Sequence, residues 1–75
     1  MPVLKDFGGF RIKMFLKDHN PPHVHVLSNG YRALVSVMEA SVLRGEIDAK
    51  FRDEALRWVS QNRTMLMRKW AEYQE

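Results

Sequence analysis

The chain has no cysteine. Disulfides and thiolate zinc sites are therefore excluded, and the composition fits a reducing compartment. No apolar run approaches the roughly 18 residues that a membrane-spanning helix needs. The stretch from Met1 to Gly9 holds no long apolar core and includes Asp6, which does not fit a secretory signal, so a cytoplasmic location is expected. Glycine and proline are scarce, with four and three copies, and neither occurs after Gly45. The C-terminal third is thus free of the two strongest helix breakers. Acidic residues are outnumbered nine to twelve by lysine and arginine, giving a net charge of +3 and a pI of about 9.6. That balance permits contact with nucleic acid but does not require it.

At 75 residues the chain is expected to form a single domain, 1–75, near the lower limit for independent folding. A core of this size supplies about 3–5 kcal/mol. A partner protein or a homodimer is a natural further source of stability.

Residues 1–9 read as a lead-in punctuated by Gly8-Gly9. From Phe10 to Lys17 apolar and basic residues alternate, so that Phe10, Ile12, Met14 and Leu16 point one way. Arg11, Lys13, Phe15 and Lys17 then point the other. Period two predicts a strand with one buried face. Residues 18–22 form a proline-rich corner.

Two strand-like runs follow, His23–Ser28 and Tyr31–Met38, separated by Asn29-Gly30. Asn-Gly between such runs predicts a two-residue hairpin turn. That turn sets the register: Ser28 against Tyr31, Val26 against Ala33, His25 against Leu34, Val24 against Val35. Paired residues share a face. Val24, Val26, Ala33, Val35 and Val37 therefore make the core face, and His23, His25, Arg32, Leu34 and Ser36 lie on the opposite, open face, away from any helix packed on the core.

Ala40–Gly45 is a candidate fourth strand. Beyond it, Phe51, Ala55, Trp58, Val59, Asn62, Leu66, Trp70 and Tyr73 recur at helical spacing, and Asp48 can cap the helix start. The expected fold is α+β: a three- to four-stranded antiparallel sheet over 10–44, with one long C-terminal helix over roughly 49–73 packed on one face. A bend or break near Ser60–Asn62 is allowed.

All three histidines lie within seven residues, in Asp18-His19-Asn20-Pro21-Pro22-His23-Val24-His25. Three uses are compatible with that spacing. The imidazoles can simply be solvated or brace the corner. His19, His23 and His25, with Asp18 as a further donor, can bind zinc or another divalent metal. Or His19, His23 and His25 can carry acid–base chemistry, with Arg32 answering the negative charge of a phosphate and Lys13 or Lys17 joining it if the first strand pairs with the histidine strand. Clustered cations favour an anionic substrate such as RNA over a metal. Trp58 and Trp70 read as core or interface aromatics, and Arg57, Arg63, Arg68 and Lys69 as a solvated helix face.

The strand Phe10-x-Ile12-x-Met14-Phe15, the string Asp18-His19-x-Pro21-Pro22-His23-x-His25, then Gly30, Ala33, Gly45, Trp58 and Trp70 resemble a family of short bacterial proteins, domain-of-unknown-function family 4160 (DUF4160). The likeness spans about residues 7–73. It implies a small α+β protein, often encoded beside a second small protein in what look like toxin–antitoxin pairs, with this chain as the toxin-like member. It implies no assigned reaction. The expected function is therefore the toxin of a type II toxin–antitoxin module, partnered by a cognate small antitoxin protein and acting on RNA or another phosphate-bearing target through the histidines. A non-enzymatic metal- or ligand-binding module, or an interaction domain using the open sheet face, is the alternative.

Overall fold

The computed structural model describes residues 3–74. In chain order its elements are β1 (Val3–Asp6), β2 (Arg11–Lys13), β3 (His23–Ser28), β4 (Tyr31–Ser36), β5 (Ser41–Gly45), α1 (Arg52–Gln61) and α2 (Arg63–Tyr73). The strands form one antiparallel meander in spatial order β1-β2-β3-β4-β5.

The β3–β4 hairpin is the centre of that sheet. Asn29 and Gly30 have φ of 42° and 84°, the left-handed pair that a tight I′ turn requires. The register is the one a two-residue loop imposes, from Ser28 against Tyr31 to His23 against Ser36. On one face Ile12, Met14, Val24, Val26, Ala33 and Val35 are buried, and Ala55 and Val59 of α1 and Leu66 and Trp70 of α2 are buried against the same core. At one end of it Phe7 stacks on Phe10 with ring centres 4.3 Å apart, and Phe51 and Trp58 close around them. Gly45 has φ of 82°, and a Cβ there would collide with the Arg32 carbonyl oxygen. Only glycine lets β5 run so close to β4 before the chain leaves the sheet.

The expected three- to four-stranded sheet with one long helix is overturned: among the described residues there are five strands and two short helices. The added strand is β1, read as lead-in because its residues are mostly exposed and show no buried stripe to detect. It is an edge strand held by backbone bonding to β2, so its side chains carry little signal. The sheet accordingly reaches Val3 rather than starting at residue 10. The helical stretch divides at Asn62, whose φ and ψ of −117° and 23° leave the helical region. The Asn62 side-chain amide donates to the Trp58 carbonyl at 2.8 Å, a local competition with the helix ladder. The Arg63 Nε then donates to the Val37 carbonyl at 3.1 Å and ties the start of α2 to the sheet. Asp48 does not cap a helix. It accepts from the Lys50 and Phe51 N–H groups in a turn, and α1 begins at Arg52 without a side-chain cap. The first alternating run is a strand only over Arg11–Lys13. Lys17 takes φ of 54°, and Leu16, expected inward, is 62% exposed.

Among the described residues no helix is long and apolar enough to cross a membrane.

Trp70 is 5% exposed at the close of the core. Trp70→Ala should lower unfolding free energy by about 3–5 kcal/mol, read by chemical denaturation. An unchanged denaturation midpoint would show that the ring contributes nothing to the fold.

Candidate functional site

The corner between β2 and β3 brings a carboxylate onto two imidazoles. Asp18 precedes the Pro21-Pro22 stiffening, and its Oδ1 accepts the His19 backbone N–H at 3.0 Å. Its Oδ2 lies 2.9 Å from His23 Nε2 and 3.2 Å from His25 Nε2. The opposite nitrogen of His23, Nδ1, donates to the Pro21 carbonyl at 2.7 Å. The corner is held in place by the Lys17 N–H, which donates to the Tyr73 carbonyl at the end of α2 at 2.9 Å.

Of the histidines expected to share one surface away from the helix, the fold keeps His23 and His25 together but not clear of the helix, and leaves His19 in solvent with its ring 6.3 Å from that of His23. His23 and His25 do sit on the same side of β3, two residues apart. His23, however, stands at the end of the strand, 5% exposed at its side chain, with its ring centre 5.2 Å from His25 and 5.2 Å from Trp70 of α2. The helix reaches round the sheet end and buries it. His25 is 18% exposed and carries Phe15 stacked on its ring at 3.9 Å, with an angle of 8° between planes. His19 stays in solvent at 92% exposure, its Nδ1 3.4 Å from Asp18 Oδ1. The group that converges is therefore Asp18, His23 and His25. One ligand-capable atom from each lies within 4.8 Å of the other two.

The Asp18 carboxyl feels opposing influences. Burial raises its pKa, but hydrogen bonds from His25 and the His19 N–H, and attraction from His23, prevail and hold it below the ordinary value.

His25 also belongs to a larger surface. Across the open face run two cross-strand rows: Arg11, Leu27 and Arg32, then Lys13, His25, Leu34 and Arg44. Four cations thus surround one imidazole and two leucines, and none of the four forms an ion pair among the described residues. Arg32 and Arg44 flank a cavity of about 140 Å³ beside His25, and Arg11 and Arg32 line a groove of about 440 Å³ at the hairpin end. Arg32 therefore stands where the strand register placed it. Lys13 joins it, directly opposite His25, whereas Lys17 lies on the turn. Arg44 escaped sequence reasoning because a register shift between Leu34 and Val35 sets the phase of β5, and no residue pattern announces that shift. Phe15 carried a usable signal: it was the one apolar residue on the polar side of the alternating run from Phe10 to Lys17.

An open basic sheet face, backed by two helices and ending in a histidine–carboxylate cluster, defines a small α+β protein. The family model described as Domain of unknown function (DUF4160) matches residues 9–71, and the chain belongs to that family. No curated protein and no solved structure matches it.

Because folding lowers the pKa of Asp18, its ionised form stabilises the fold. That contribution is complete above the pH where an unfolded aspartate titrates, about 4, and is lost as pH falls through the lower folded value. In chelator-containing buffer, wild type should lose stability more steeply below about pH 4 than Asp18→Asn does, measured as urea midpoints. Parallel curves would show that this ionisation is not coupled to folding.

Proposed function

We propose that this protein is the toxin of a bacterial type II toxin–antitoxin module, cytoplasmic and neutralised by a cognate small antitoxin protein, and that it acts on RNA through the open sheet face. The observation that carries the RNA half is the pair of cross-strand rows that group Arg11, Lys13, Arg32 and Arg44 around His25. Cations set on adjacent strands match the repeated charge of a phosphodiester chain, and guanidinium forks bind phosphate in two-pronged fashion. The exposed parts of Leu27, Leu34 and Phe15 give unstacked bases an apolar floor, which favours single strands over a duplex. The pairing half is supported by the family resemblance.

Within the cluster the roles divide by exposure. His25 is the imidazole that reaches the RNA-binding face. Asp18 and the buried His23 position it. A substrate phosphate seated between Arg32 and Arg44 lies beside His25, because all three border the same cavity.

Arg32→Ala and Arg44→Ala should each weaken binding of a single-stranded RNA oligonucleotide. Each should also reduce the slope of log affinity against log salt by about 0.7, the value for one lost phosphate contact on a single strand. His25→Ala should relieve growth arrest while the complex with the antitoxin persists. Unchanged salt slopes in both arginine variants would end the sheet-face reading. Full growth arrest by His25→Ala at wild-type expression would end the role of the cluster.

A further inference from the structure

We infer that Asp18, His23 and His25 form a binding site for a divalent transition-metal ion of the zinc type, with a remaining coordination position open to water. The inference rests on the geometry of the cluster and not on RNA binding.

The argument starts from one hydrogen bond. A carbonyl oxygen only accepts, so His23 Nδ1, 2.7 Å from the Pro21 carbonyl, carries the hydrogen. A neutral imidazole has a single N–H, which makes Nε2 the lone-pair nitrogen. That lone pair points at Asp18 Oδ2 from 2.9 Å, and a carboxylate also only accepts. Two lone pairs held face to face in a place that is 5% exposed on the histidine side need a positive centre between them. A second proton is one such centre. A metal ion is the other, and it would draw on the third member of the cluster as well. His25 Nε2 approaches the same oxygen at 3.2 Å, so one carboxylate oxygen and two imidazole nitrogens lie close enough together to serve one ion.

The dimensions fit. Zinc bonds of about 2.0–2.2 Å in a tetrahedron put neighbouring ligand atoms roughly 3.3–3.5 Å apart. Two edges here are 2.9 and 3.2 Å, shorter than those by a few tenths, and all three ligand atoms lie within 4.8 Å of one another, so side-chain shifts complete the fit when the ion enters. Two histidines and a carboxylate are a donor set that zinc accepts, with water completing the shell. The contact from Pro21 to Nδ1 is the kind of carbonyl bond that fixes the tautomer and ring direction of a metal-bound histidine. Phe15 stacked on His25 and Trp70 beside His23 restrict both rings from the other side. The donor side chains are thus gathered before the ion arrives. Lys13, opposite His25, and the nearby Arg32 and Arg44 oppose a cation, and the Asp18 charge is what offsets them.

The test uses the full chain, stripped with a chelator and titrated with zinc alone, by calorimetry and by elemental analysis after dialysis. One zinc per chain is expected, with a melting temperature that rises with zinc concentration because the unfolded chain binds the ion less well. His25→Ala and Asp18→Asn should each weaken binding at least about ten-fold, whereas His19→Ala should leave it unchanged. Cobalt in place of zinc should give the visible absorption of a four-coordinate site, absent in His25→Ala. Circular dichroism of the stripped variants shows whether each has folded. If one has not, the other variant and the wild-type cobalt spectrum decide. No zinc uptake by wild type, equal affinity in folded His25→Ala or Asp18→Asn, or loss of binding in His19→Ala would each overturn the proposal. No nucleic acid is present in these measurements, so the metal site and the RNA-binding face can fail separately.

Discussion

The tight turn at Asn29-Gly30 is the constraint on which the remaining structure hangs. Both residues hold positive φ, and a two-residue loop leaves no freedom in how β3 and β4 pair. Side chains on a strand alternate strictly between faces, so a slip of one residue would exchange every one of them. Val24 and Val26 would leave the core and His25 would enter it. With the register held, the apolar side of β3 meets the helices, and its polar side meets Lys13 on one flank and Leu34 and Arg44 on the other. The core and the site are two faces of a single pairing decision.

His23 joins those faces. It stands at the strand end, between the His25 ring and the Trp70 ring, and its two nitrogens meet Pro21 and Asp18. The corner that carries Asp18 is in turn fastened to the last turn of α2 through Lys17 and Tyr73. The carboxylate is therefore positioned by the helix as much as by the corner. A buried polar group is tolerable only when it is bonded, and here its bonding partners are the cluster itself. Stability of the sheet end and geometry of the cluster are consequently one property, so substitutions of His23 report on folding before they report on chemistry.

The legible and illegible parts separate along physical lines. Alternation and turn chemistry act between neighbours, so the hairpin register, the buried valines and the open-face positions of His25 and Arg32 could be read from residue order. The stripe of Ala55, Val59, Leu66 and Trp70 was readable for the same reason. The edge strand β1 was not, because backbone bonds hold it and its side chains are mostly exposed. The division into two helices was not fully readable either. Asn62 can cap or continue a helix, and the choice came from its bond to Trp58 and the reach of Arg63 to Val37.

For the site, residue order determined which chemistry was present: three imidazoles and a carboxylate in one short corner, and basic residues alternating along the strands. Local rules also determined which face of β3 the imidazoles share. Tertiary packing decided which of them act together. Trp70 buried His23, Phe15 covered His25, His19 was left in solvent, and Asp18 was turned inward by a corner anchored to a helix about fifty residues further along the chain. Such contacts depend on where distant elements dock, and no pattern of neighbours encodes that, because the energy that selects them comes from burial and hydrogen bonding formed only when the whole core closes.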